Sequence, residues 1–191
     1  MDNRDRLPFP RLLSEGLDRL GLPLAASAQA SLLDYVAELL KWNKKVSLTA
    51  ITRPEEVVDK HLLDSLCVLP EMEGATHLLD LGAGAGLPGI PLAVALPHLR
   101  VTLVDAVAKK VSLMKSGAVK AGVADLVKAV HARARGHPAR EGLPQVDRVI
   151  SRALMELGPF LLLAQAYLVP GGQVVAMLAQ PPSSPTLAAV A

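Results

Sequence analysis

The chain has 191 residues and a mass of 20.1 kDa, which at about 100 to 200 residues per domain predicts one domain with an appendage. Its 51% hydrophobic and 20% charged residues exclude intrinsic disorder for the chain as a whole, and no apolar run approaches the roughly 18 residues needed to cross a bilayer. The formal charge of +2 conceals an asymmetry: Arg100 to Arg152 holds 11 Lys or Arg against 4 Asp or Glu, and the remainder holds 9 against 14. Such a basic stretch suits a phosphate backbone or an acidic surface, with an ordinary solvated face as the plain alternative.

The opening residues, MDNRDRLPFP, mix acids with bases and lack an apolar core, so no secretory signal is expected. Residues 1–72 read as a helical segment. From Ser31 to Val46, Leu32, Leu33, Val36, Leu39, Leu40 and Val46 fall on one stripe, with Asp34, Glu38 and Lys41 facing away. Thr52-Arg53-Pro54-Glu55 has the form of a capping box and predicts a helix from Arg53 to Leu69. On that helix His61 and Asp64 share a face, and Cys67, between Leu66 and Val68, reads as a small core residue. A single cysteine excludes an intramolecular disulfide and a cysteine-rich zinc site, which fits a reducing cytoplasm and leaves metal chemistry unexpected.

At His77 the pattern changes to short apolar runs separated by helical stretches. His77–Leu81, Val101–Val104, Leu126–Val130, Val146–Ile150 and Gln173–Leu178 are predicted strands; Ile90–Ala95, Lys109–Ala121 and Phe160–Tyr167 are predicted crossover helices. The expected fold is α/β, a doubly wound parallel sheet over residues 73–180, followed by a low-complexity tail at 181–191.

Asp80-Leu-Gly82-Ala-Gly84-Ala-Gly86-Leu-Pro-Gly89 stands where the first strand turns into the first crossover helix. Glycines there let the backbone approach a ligand. Gly84, Gly86 and Gly89 satisfy the dinucleotide spacing, so an NAD-dependent oxidoreductase stays open. Asp80 weighs against it, since a carboxylate aimed into the loop repels a pyrophosphate and attracts a cation such as the ammonium of S-adenosylmethionine. Asp105, ending the second strand, is placed for the ribose hydroxyls of either cofactor.

With these residues in view the chain resembles the RsmG (GidB) family of bacterial ribosomal RNA methyltransferases. The resemblance rests on Lys41-Trp42-Asn43, Leu48-Thr49, His61-Leu-Leu-Asp64-Ser65, Asp80 to Pro91, Asp105 with Lys109-Lys110, and Ser151-Arg152-Ala153. It implies a Rossmann-like class I methyltransferase sheet, S-adenosylmethionine as cofactor, no metal and no catalytic acid or base. The implied reaction is methylation of N7 of one guanine in small-subunit (16S) rRNA. It also implies that Gly82 and Leu87 sit at the methionine end, Asp105 at the ribose, Ala134 and Arg135 beside the adenine, and Arg152 in the pocket wall. Lys109, Arg133 and Arg152 would then face RNA, within a small-subunit particle or its precursor. The family usually has Asn at Ser47 and an acid at Arg135, which puts the adenine contact on backbone amides here.

After the fifth strand, Pro181, Pro182 and Pro185 forbid the two further strands of the resembled fold, so a five-stranded sheet with an apolar edge is expected. An inactive or purely RNA-binding relative of the family is the alternative that this tail leaves open.

Overall fold

The computed structural model describes residues 8–46, 51–152 and 155–180. Helix α1 (Phe9–Leu20) and helix α2 (Ala26–Val46) open the chain. A broken helical stretch follows: α3 (Pro54–Val57), a π-helical turn (Val58–Leu63), α4 (Asp64–Leu66) and a 3₁₀ turn (Leu69–Met72). The alternating part comprises β1 (His77–Leu81), α5 (Gly89–Ala95), β2 (Arg100–Asp105), α6 (Ala108–Lys120), β3 (Val127–His131), α7 (Pro138–Glu141), β4 (Val146–Arg152), α8 (Leu157–Gln165) and β5 (Leu168–Met177).

All four pairings are parallel and the strand order is β3-β2-β1-β4-β5. The order reverses between β1 and β4, which marks the carboxyl end of β1 as the place where a ligand crevice opens. β1 and β2 are almost wholly buried, as their apolar runs require, whereas β3 and β5, the sheet edges, hold only partly buried and exposed residues. The fifth strand begins earlier than predicted, at Leu168, since Pro170, Gly171 and Gly172 are accommodated in an edge strand beside an irregularity at Val146/Arg148. Residues 181–191, to which the expectation of a low-complexity tail belongs, lie outside the described residues, as do Ser47, Leu48, Thr49 and Ala153.

One apolar cluster joins Phe9, Leu13 and Leu17 of α1 and Leu32, Val36 and Leu39 of α2 to Ile90, Leu103 and Met114 on one face of the sheet. A second, with Leu79, Val149, Phe160 and Tyr167, fills the other face. The helical segment therefore lies against the same sheet face as α5 and α6.

Three sequence expectations need correction. Glu38 does not face away: it is 7% exposed and its Oε1 accepts hydrogen bonds from Trp42 Nε1 (2.8 Å) and Ser116 Oγ (2.5 Å), because α6 packs over that side of α2. Those bonds hold its carboxyl below the usual range. Cys67 is exposed, at the end of the α4 turn, with its thiol donating to the Asp64 carbonyl (3.0 Å). Thr52 forms no capping box; Arg53, extended at ψ 136°, is the N-cap of α3 and has no side-chain cap bond.

Removing Glu38 leaves two donors on different helices without their acceptor. Glu38→Ala is expected to destabilise the fold by about 1–3 kcal/mol, read from urea midpoints.

Candidate functional site

The glycine loop is built outward from β1. Gly82 and Ala83 donate to the Val104 carbonyl (2.9 and 3.0 Å), so the chain leaving β1 is fastened to β2 before it turns. Gly82, Gly84 and Gly86 have φ of 72°, 60° and 97°, the left-handed region that glycine enters without Cβ strain. A Cβ at Gly86 would lie 2.5 Å from Ile90 Cδ1, and one at Gly89 would lie 2.3 Å from Leu103 Cδ2 and 3.0 Å from Asp80 Oδ2. A Cβ at Gly84 would meet nothing nearer than the Gly82 carbonyl at 3.9 Å, so this glycine faces open space.

Asp80 lies under the loop and is fully buried. Its Oδ2 accepts from the Gly89 amide (3.0 Å), while Oδ1 is buried without a hydrogen-bond partner. Burial pushes this carboxyl up to about 8, against the pull of the Gly89 amide and the Arg152 charge. A carboxylate oxygen so placed, next to a loop of backbone amides, fits a cationic ligand group and costs free energy without one.

Asp105 ends β2. Its Oδ1 accepts from the Val107 amide (2.8 Å) and its Oδ2 from the Gly84 amide (3.1 Å), with Lys110 Nζ at 3.5 Å. A carboxylate offers about four acceptor positions, so it holds the glycine loop and retains capacity for hydroxyl donors.

Beside these residues opens a cleft of about 520 Å³, within the roughly 300–1,000 Å³ usual for small-molecule sites. Gly82, Asp105, Ala134 and Arg135 of the sequence-derived set line it, as does Arg133 of the RNA-facing set; Leu81, Ala132, Met155 and Leu163 complete its apolar wall. Asp80, Gly84, Gly86 and Leu87 shape the loop rather than the cleft wall, and Gly86 and Leu87 are themselves buried. Lys109 is exposed on the first turn of α6.

Arg152, at the end of β4, turns away from this cleft toward the helical segment. Its guanidinium donates to the Lys60 carbonyl (2.9 Å) and to Asp64 Oδ2 (3.1 Å). The π-helical turn presents that carbonyl, whose residue also sits within 3.2 Å of His61 Nδ1. Burial and the neighbouring Arg152 charge push the His61 imidazole down, favouring its neutral form. Thus His61 and Asp64, two members of one sequence motif, meet Arg152 of another. Arg148, counted in the basic stretch, is occupied within the fold: it binds the carbonyls of Glu71 (3.0 Å), Glu73 (2.9 Å) and Asp147 (3.0 Å).

Sequence reasoning missed three residues that hold the site. Tyr35, fully buried, donates from its hydroxyl to the Ala85 carbonyl (3.0 Å) and so ties α2 to the glycine loop. Its place on the stripe between Leu32 and Leu39 was the available signal. Tyr167 and Glu141 bind the backbone of the 132–137 loop, and no spacing announces them.

Relatives of known name are similar to this chain in sequence. The GidB family, described as rRNA small subunit methyltransferase G, matches residues 28–186. The Ribosomal RNA small subunit methyltransferase G of Myxococcus xanthus (strain DK1622) is 54% identical over 185 residues, covering 97% of this chain and 85% of that protein. The protein of the same description from Anaeromyxobacter dehalogenans (strain 2CP-C) is 51% identical over 170 residues, covering 89% and 78%. In fold, the chain is similar to the O-methyltransferase from Bacillus cereus solved in complex with SAH, with TM-score 0.55, 19% identity, and coverage of 84% and 69%.

The five parallel strands, the glycine loop over a buried acid and the cleft at the switch point define the class: a Rossmann-like α/β fold with a ligand crevice at the carboxyl ends of its strands. Within it, the chain belongs to the GidB family of small-subunit rRNA methyltransferases. The dinucleotide reading of the glycine spacing is thereby set aside.

Proposed function

We propose that this protein methylates N7 of a guanine in small-subunit (16S) ribosomal RNA, presented within a small-subunit particle or its precursor, with the cofactor held between the glycine loop, Asp105 and the loop after β3. The single observation that carries the cofactor placement is Asp80 Oδ1, a buried carboxylate oxygen without a partner beneath a loop that leaves open space at Gly84. A cytoplasmic location follows from the substrate. Among the described residues, no helix is long and apolar enough to cross a membrane and no group of His, Cys, Asp or Glu is arranged to hold a metal ion.

In this reading Asp80 faces the cationic methionine end, with Gly82, Gly84, Gly86 and Leu87 shaping the backbone around it. Asp105 accepts from the ribose hydroxyls, and Ala134 and Arg135 flank the adenine. When bound, S-adenosylmethionine supplies an electrophilic methyl group on a sulfonium. N7 of guanine carries a lone pair and no proton, so the chain needs no general base. Its contribution is positioning, which draws on the several kcal/mol available from orienting reactants. Arg152 cannot usefully remove a proton; it joins the end of β4 to the helical segment through the Lys60 carbonyl and Asp64, and its charge favours the ionised form of Asp80. A guanine inside folded RNA must be splayed out to reach the cleft mouth, so RNA conformation supplies part of the selectivity.

Calorimetric titration with S-adenosylmethionine and with NAD tests the placement: binding of the first and not the second is expected. Arg133, exposed at the cleft, and Lys109, exposed on the first turn of α6, should contact phosphate. RNA affinity should fall with salt at a log–log slope of about −0.7 to −0.9 per phosphate neutralised, and Lys109→Ala or Arg133→Ala should each flatten it by about one contact. An unchanged slope in both would return the basic stretch to ordinary solvated surface.

A further inference from the structure

Residues 132–135 form one wall of the cleft, yet they belong to no helix or strand. A loop of this kind needs its backbone groups satisfied from elsewhere if it is to present a fixed surface. Two side chains distant in sequence do this. The Tyr167 hydroxyl accepts from the Arg135 amide (3.0 Å) and the Gly136 amide (2.9 Å), and donates to Glu141 Oε2. Glu141 Oε1 accepts from the Arg135 amide (2.9 Å) and the His137 amide (3.2 Å). Three consecutive amides are thus held by one tyrosine and one glutamate.

Tyr167 is fully buried in the second cluster, on the sheet face opposite the helical segment, where Ala132 and Ala134 pack against the same group of residues. Gly136, at φ +86°, is the middle of the three clamped residues and lets the loop turn back toward α7. Burial and the neighbouring carboxylate both raise the Tyr167 pKa, so the hydroxyl keeps the proton it gives to Glu141.

We infer that Tyr167 and Glu141 are positioning residues for the adenosine end of the cofactor: by clamping the Arg135, Gly136 and His137 amides they fix the 132–135 wall in its binding conformation. Neither touches the cleft, so the effect passes through the loop. The inference rests on the cofactor placement proposed above. The clamp is one unit, because the tyrosine accepts two amides only while its own proton is directed at the glutamate. Losing either partner therefore releases the loop.

The test uses the full chain and S-adenosylhomocysteine as the calorimetric probe. Tyr167→Phe keeps the ring and removes only the hydroxyl; it should weaken binding about tenfold, equivalent to about 1.4 kcal/mol. Glu141→Gln should act in the same direction, and the double variant should be little worse than Tyr167→Phe alone. Exchange of the Gly136 amide with solvent should accelerate in both variants without ligand. In methyl transfer, KM for the cofactor should rise by a similar factor while kcat at saturation stays within about twofold and KM for RNA is unmoved. Wild-type affinity in Tyr167→Phe, fully additive single effects, or a fall in kcat with both KM values altered would overturn the clamp. Failure of the wild-type chain to bind S-adenosylhomocysteine would instead overturn the cofactor placement.

Discussion

Asp80→Asn should lose at least about a hundredfold in cofactor affinity and yet unfold at a higher temperature than the unliganded wild type at pH 8. The two effects share one cause. Asp80 is fully buried, with one oxygen bonded to the Gly89 amide and the other unpartnered, and its carboxyl is pushed up to about 8 from an ordinary 3.8. Between those values the folded chain holds a proton that the unfolded chain has released, so stability falls as pH rises from about 4 to about 8. Asparagine removes that slope. A cationic ligand group requires the ionised carboxylate, so cofactor binding to the wild type should release a proton below pH 8 and tighten as pH rises toward 8. Asp105 and Arg152 are the other charges acting on the group, in opposite directions. Thermal melts at pH 5 and 8 with paired calorimetry check both parts; unchanged affinity in the folded variant would remove Asp80 from the site.

Arg152→Ala is the second large effect, and it should reduce methyl transfer by about two orders of magnitude while RNA affinity changes by only a few-fold. Arg152 joins the end of β4 to the helical segment through the Lys60 carbonyl and Asp64, and its charge favours ionisation of Asp80. Truncation leaves the carbonyl without that donor, frees Asp64, which is 45% exposed, to solvent, and makes Asp80 harder to ionise. Cofactor affinity at pH 7 should therefore fall with activity and recover partly at higher pH. A parallel loss of RNA binding and turnover would assign Arg152 to phosphate contact instead.

The sheet was legible because its cause is local. Apolar runs at His77–Leu81 and Val101–Val104 can be buried on both faces only in a parallel sheet, and the acids ending β1 and β2 mark the ligand side. Gly82, Gly84 and Gly86 were legible as glycines in a turn, and each adopts the positive φ that the turn needs. What stayed hidden depends on tertiary neighbours. Glu38 looked solvent-facing until α6, 78 residues on, brought Ser116 against it. Cys67 looked apolar from its neighbours Leu66 and Val68, though the turn after α4 points it outward. Arg152 looked like a cofactor contact, and its partners 88 and 92 residues upstream were set by how the helical segment packs. The Tyr167–Glu141 pair, 26 residues apart, belongs to no motif, because loop backbone can be satisfied by any correctly placed acceptor.

The central claim, that this chain transfers a methyl group to a guanine of small-subunit ribosomal RNA, is tested most directly by mass spectrometry of that RNA from cells with and without the gene. The account predicts one N7-methylguanosine that disappears on deletion, returns with the wild-type chain and does not return with Asp80→Asn. An unchanged modification pattern, or restoration by Asp80→Asn as complete as by the wild type, would contradict it.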